Sequence, residues 1–206
     1  MILSGMPQPR RPNASSELDE ALGLARDRGT AGFTLLYRLL AGEVAGFCRA
    51  RGVKDVDDLV NEVFLGAFRG MDTFTGSGSD FRAYVYRIAR NKVFDVRAKA
   101  RSSLEQLEEA PHDGVAADAG AGADTEALER LDRDAVLRLL NELTEDQQEV
   151  ILLRFLADLT VPEVARVTGR AESAVKALQR RSLATLRRKI SDAGSIDFVP
   201  STDSSG

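Results

Sequence analysis

In a chain of 206 residues, 28 Lys and Arg stand against 32 Asp and Glu, 43% of residues are apolar, and Trp is absent. That length suits one or two small domains, and the apolar content excludes a wholly disordered chain. A lone cysteine, Cys48, excludes an internal disulfide, and a lone histidine, His112, leaves no His/Cys metal cluster, so no metal or other cofactor and a reducing, cytoplasmic setting are expected.

The chain begins MILSGMPQPRRP, with Pro where a signal peptide has its apolar stretch, and the run Val150 to Ala157 is broken by Arg154. Neither secretion nor membrane insertion is expected, and residues 1–16 are expected to be disordered. Helical periodicity then sets in. Phe33, Leu36, Tyr37, Leu40, Val44, Phe47 and Cys48 step by three or four around one face, as do Val56, Leu59, Val60, Val63, Phe64, Ala67 and Phe68. The second stripe predicts a helix over 55–72. The segment 73–80, with Gly76 and Gly78, carries no stripe and is predicted as a loop. A helix over 81–97 follows, with Phe81, Tyr84, Val85 and Ile88 inward, so a bundle of three or four helices is expected over 17–101. No segment alternates apolar and polar residues for long, and no strand is predicted.

Charge divides the rest. Between Arg82 and Arg101 seven Lys or Arg stand against Asp95 alone, and between Arg166 and Ile190 eight stand against Glu172 alone. From Ser102 to Ala127 the sign reverses, with seven carboxylates, no Lys or Arg, and the run GVAADAGAGAD. Gly and Ala offer little to bury, so ordering this backbone would go uncompensated. The expected organisation is all-α: a helical bundle (17–101) and a helix-turn-helix domain (125–191), joined by a flexible acidic linker (102–124), with a disordered tail (192–206).

In the second domain Leu128, Leu131, Ala135, Leu139, Leu140 and Leu143 form a stripe. Thr144 with Gln147 and Thr160 with Glu163 have capping-box spacing, and Pro162 falls in a first turn where its missing N–H is harmless. Val150 to Leu156 is apolar nearly all round, as in a central helix. A short helix over 161–167, a turn at Gly169 and a long basic helix from Ala171 to about Ile190 make a helix-turn-helix. The long helix leaves Lys176, Gln179 and Arg180 outward, types that suit the major groove, where Arg pairs with guanine and Gln with adenine. A solvated helix pair with a basic face is the plainer reading.

The first basic block, FRAYVYRIARNKVFDVRAKAR, interleaves aromatics with cations after a Gly-bearing loop. Cations neutralise phosphates and aromatic faces stack on unpaired bases, a combination that holds single strands. Core packing of Phe81, Tyr84 and Ile88 competes with that use. No paired carboxylates on a buried face and no phosphate-cradling motif point to an enzyme.

DVDDLVNEVFLGAFRGMDTF, the Gly-bearing loop and FRAYVYRIARNKVFD resemble the first conserved domain of the sigma-70 family, group IV, the extracytoplasmic-function (ECF) sigma factors. The helix-turn-helix segment resembles their second domain. This resemblance implies a non-enzymatic factor that binds core RNA polymerase, through the clamp helices of its largest subunit and its flap region, and brings it to promoter DNA. It implies that Asp58, Asn61 and Glu62 face the clamp. It further implies that Phe81, Arg82, Tyr84, Arg87, Arg90, Asn91, Lys92 and Arg97 handle the single-stranded −10 element, with Asn91 near an extruded base. Arg170, Lys176, Ala177, Gln179, Arg180 and Arg181 match the segment that reads the duplex −35 element. Asn61 stands where Gln is usual, Tyr84 where Trp is frequent, and Ala177 where Ser or another polar residue is frequent. Group IV members are often held by an anti-sigma protein, the remaining partner implied. The alternative is a helix-turn-helix regulator that acts without polymerase.

Overall fold

A computed structural model describes residues 14–27, 29–107 and 135–194; the expected linker apart from 102–107, the first part of the expected second domain (125–134, with Leu128 and Leu131), and both expected disordered ends up to 13 and beyond 194 lie outside them. The described residues form helices α1 (Ala14–Arg26), α2 (Thr30–Ala50), α3 (Val56–Arg69), α4 (Gly78–Leu107), α5 (135–141), α6 (Glu145–Ile151), α7 (Val161–Thr168) and α8 (Glu172–Gly194). Among them there is no strand. A 3-10 turn, Met71–Thr73, follows α3, and a π-helical turn, Leu152–Leu156, follows α6. The described residues fall into two compact units: 14–107 with 152–172, and 135–151 with 173–194.

The first unit is built on α1 to α4. The stripe of α2 goes inside through Leu36, Leu40, Val44, Phe47 and Cys48, while Tyr37 stays exposed. From α3, Val56, Leu59, Val60, Val63, Phe64 and Ala67 are buried. Burial pushes the Cys48 thiol up to about 11, despite the opposing charge of Arg49. By length and composition α2 could cross a membrane, but its apolar face is the bundle's own core. Sequence periodicity did not single out α1. It buries Leu18, Ala21, Leu22 and Ala25 and packs on α2 and α4. The approach to α2 is so close that a Cβ on Gly32 would lie 2.2 Å from the backbone nitrogen of Ala25.

The inward face of α4 differs from expectation by a small rotation. Phe81 and Val85 are buried as predicted, but Tyr84 and Ile88 are only half-buried, and Tyr86, Ala89 and Val93 complete the core. Tyr86 meets Phe47 edge to face at 5.6 Å, and its hydroxyl has no hydrogen-bond partner. Burial raises its pKa, so the phenol stays protonated. Arg82 is buried too: its Nη1 donates to Glu43 Oε2 at 2.8 Å and to the Ala157 carbonyl at 3.2 Å. That guanidinium ties α4 both to α2 and to the segment after the π-helical turn, where Arg154 donates to the Leu159 carbonyl.

Helix α7 belongs to this unit and packs on α4. Its start carries the expected box: Glu163 N donates to Thr160 Oγ1 and Thr160 N donates to Glu163 Oε2 at 2.6 Å, with Pro162 in the first turn. Its end is Gly169 at φ 70°, the left-handed geometry that glycine adopts without a Cβ penalty.

In the second unit, Gln147 N donates to Thr144 Oγ1 and Thr144 N to Gln147 Oε1, the other expected box. Leu140, Leu143, Val150, Ile151, Val175 and Leu178 are buried. Ser182, fully buried in α8, donates to the Leu178 carbonyl at 2.8 Å, and Lys189 pairs with Glu142.

Candidate nucleic-acid interface

The segment before α4 is an ordered corner. Ser77 and Asp80 form a capping box of their own: Asp80 N donates to Ser77 Oγ, while Ser77 N donates to Asp80 Oδ2 at 3.1 Å and Ser77 Oγ lies 2.7 Å from the same oxygen. These bonds start the helix at Gly78, three residues before the expected position. They also draw the Asp80 carboxyl below its ordinary value, chiefly through Ser77 and secondarily through Arg166 of α7, whose Nη1 lies 3.1 Å from Asp80 Oδ1. At its other end α4 runs on to Leu107: Lys99–Leu107 holds no Gly or Pro, and apart from Ser102 and Ser103 its residues are strong helix formers.

Behind this corner an open cavity of about 610 Å3 is lined by Thr73, Phe74, Asp80, Tyr84 and Arg87, with Arg166 and Val167 of α7 on another side. Phe74 and Tyr84 stack at 5.6 Å with their planes 26° apart, and the Arg87 guanidinium lies 5.5 Å from the Tyr84 centroid. Gly70 makes room for this pair, since a Cβ there would sit 2.4 Å from the Tyr84 hydroxyl. Flat faces beside a guanidinium offer both a stacking surface for a base and a counter-charge for its phosphate.

From the cavity the outer face of α4 continues. Arg87, Asn91 and Phe94 are exposed at helical spacing, and Arg90 stacks on Phe94 at 5.4 Å. Phe94, 53% exposed, was not among the expected contact residues, although its spacing from Arg87 and Asn91 marks the same face. Arg90, Lys92 and Arg97 are half-buried. Two of the residues expected at the strand are turned inward. Phe81 is fully buried against Phe74 and Tyr84, and Arg82 is spent on Glu43 and Ala157, so in this conformation neither presents a surface to a ligand.

On α3, Asp58, Asn61 and Glu62 are all exposed, beside Leu65 at 55% exposure. Asn61 Oδ1 accepts from the Tyr37 hydroxyl at 3.4 Å. Glu62 Oε2 accepts from Lys92 Nζ at 2.6 Å, and this bond lowers the Glu62 pKa. One residue expected at polymerase, exposed Glu62, and one expected at DNA, half-buried Lys92, therefore form a single ion pair. On α8, Lys176, Arg180 and Arg181 are exposed, whereas Ala177, Gln179 and, before the helix, Arg170 are half-buried.

Comparison with known proteins gives two family-model matches: Sigma-70 region 2 over residues 33–103 and Sigma-70, region 4 over residues 133–186. The ECF RNA polymerase sigma factor BldN of Streptomyces coelicolor is 36% identical over 199 residues, covering 89% of this chain and 70% of that protein. SigD of Mycobacterium tuberculosis, also an ECF RNA polymerase sigma factor, is 33% identical over 162 residues, 73% of each chain. In fold, the chain is similar to the sigma factor RpoE from Bartonella quintana, solved with the anti-sigma factor NepR (TM-score 0.62, 21% identity, 77% of this chain and 96% of that one).

Proposed function

Because the chain belongs to the sigma-70 family as an ECF sigma factor, a promoter-specific initiation factor that binds RNA polymerase, we propose how its named residues divide that work. Asp58, Asn61 and Glu62 on α3 meet the clamp helices of core polymerase, and the flap region takes part of the second domain. Tyr84, Arg87 and Asn91, with Arg90, Lys92 and Arg97 along the same helix, take the non-template strand of the −10 element. Lys176, Arg180 and Arg181, with Arg170, Ala177 and Gln179, take the −35 duplex. The working segments are 17–101 and 125–191, with the acidic 102–124 between them.

One observation carries the strand assignment: a stacked aromatic pair beside Arg87 at the mouth of a cavity, continuous with exposed Asn91 and Phe94. Unstacking a base costs a few kcal/mol, and such a surface offsets it. Neither a cofactor nor an enzymatic reaction is needed for this task, which is carried out in the cytoplasm. An anti-sigma protein is the further partner that family membership supports. A helix-turn-helix regulator acting without polymerase is not favoured, since it gives region 2 no work.

The test reconstitutes the chain with core polymerase. Arg87→Ala with Asn91→Ala should leave assembly intact and remove permanganate-reactive melting at promoters. Asp58→Ala with Glu62→Ala should weaken co-sedimentation with core. Melting by the first pair equal to wild type would refute the strand assignment, and unaltered co-sedimentation of the second would move the interface elsewhere.

A further inference from the structure

Helix α1 lies ahead of the family-model match at residue 33, yet it holds the loop that leads into α4. Arg26 Nη2 donates to the Gly76 carbonyl at 2.6 Å and lies 3.5 Å from the Phe74 carbonyl. About two turns earlier on the same helix, Asp19 Oδ1 accepts from Gly78 N at 2.5 Å. The two helices touch where Gly78 sits: a Cβ there would lie 2.7 Å from Asp19 N and Leu18 Cβ. Three backbone groups between Phe74 and Gly78 are thus fixed by two side chains of opposite charge on one rigid element.

We propose that Asp19 and Arg26 are positioning residues for recognition of the −10 strand, fixing the curvature of the loop that presents Phe74 to Tyr84. This rests on the strand assignment made above. Carbonyls of an exposed loop are otherwise hydrated and the loop samples many shapes, and freezing each backbone residue opposes binding. A loop already held in its bound shape avoids that loss, which is the physical content of preorganisation. Arg26 suits the task because the N–H groups of Nη2 are fixed in the guanidinium plane, which sets the direction of the bond to the Gly76 carbonyl with the Phe74 carbonyl close by, whereas an ammonium rotates freely. Asp19 meets the first free N–H of α4, where a negative charge is also favoured by the helix dipole.

The experiment uses the full chain assembled with core polymerase purified from Streptomyces coelicolor. Single-stranded DNA randomised at six central positions is selected on the wild-type assembly, and the winning oligonucleotide, labelled with fluorescein, is the probe, with a scrambled strand as reference. Arg26→Ala should weaken probe binding about tenfold, equivalent to about 1.4 kcal/mol, and reduce discrimination against the scrambled strand, with core affinity and thermal midpoint unchanged. Asp19→Asn should act in the same direction, and Arg26→Lys should restore part of the loss. Unchanged probe affinity and discrimination in Arg26→Ala would overturn the proposal. So would a parallel fall of core affinity, probe affinity and thermal midpoint, which is what a purely structural role gives. If the wild-type assembly selects no sequence at all, the strand assignment fails first and takes this role with it.

Discussion

Gly32→Ala sets two effects of opposite sign against each other. Gly32 is the third residue of α2, and alanine there is favoured over glycine by at most about 1 kcal/mol, the value for a helix interior, so propensity alone predicts a more stable protein. The structure predicts the reverse. A Cβ at residue 32 would lie 2.2 Å from Ala25 N, 2.5 Å from Leu24 C and 2.6 Å from Ala25 Cα, against 3.4 Å for ordinary contact, and all three are backbone atoms that cannot swing aside. Helix α1 would have to retreat by about an ångström, loosening Leu18, Ala21, Leu22 and Ala25; overpacking of this kind costs about 1–3 kcal/mol. The net expectation is a loss of up to about 2 kcal/mol and a thermal midpoint lower by up to about 8 °C. Gly42, also inside α2, has nothing within 4 Å of its would-be Cβ, so Gly42→Ala should gain about 0.5–1 kcal/mol. Urea unfolding followed by circular dichroism measures both. Equal stabilisation by the two substitutions would refute the close approach of α1 to α2.

Arg82→Ala removes the charge-assisted bonds to Glu43 and to the Ala157 carbonyl and should cost about 2 kcal/mol; a urea midpoint within error of wild type would show that water replaces the guanidinium there. Lys176→Ala with Arg180→Ala should abolish −35-dependent transcription with core binding intact. It should also flatten the logarithmic salt dependence of promoter binding by up to about 2, each lost phosphate contact contributing about 0.9; unchanged promoter use would remove α8 as the reading helix. Cys48 should resist alkylation in the native protein at pH 8 and react fully in guanidinium. Because its thiol is held neutral, stability should fall as pH rises from 9.0, the unperturbed value, through about 11; Cys48→Ala should make that decline shallower, leaving the part that the buried Tyr86 phenol contributes above 10.0. Rapid native labelling would place the thiol outside the core.

The helices with strong stripes were legible. Leu36, Leu40, Val44 and Phe47 leave no doubt about which side of α2 is inward, and the Thr160 and Thr144 boxes marked two helix starts. Helix α1 escaped because two of its four core residues are Ala21 and Ala25, which pack by being small and carry a weak periodic signal. The start of α4 was legible in principle: Ser77 and Asp80 have box spacing, but Gly76 and Gly78 argued for a loop. In the strand site, Phe81, Tyr84 and Tyr86 crowd one helical stretch, and a rotation smaller than one residue step decides which ring goes inside. Only the packing of Phe47 on Tyr86 settles that, and with it the outward turn of Arg87, Asn91 and Phe94.

The Tyr86 hydroxyl is an atom the bundle would be better without. Its ring fills the space beside Phe47, while its oxygen, sealed from water, gives up a hydrogen bond to solvent and receives none in return. A phenylalanine would keep the edge-to-face contact and shed the penalty of about 1 kcal/mol or more. Thermal robustness can therefore be raised at this one buried oxygen without touching any surface assigned to polymerase or DNA.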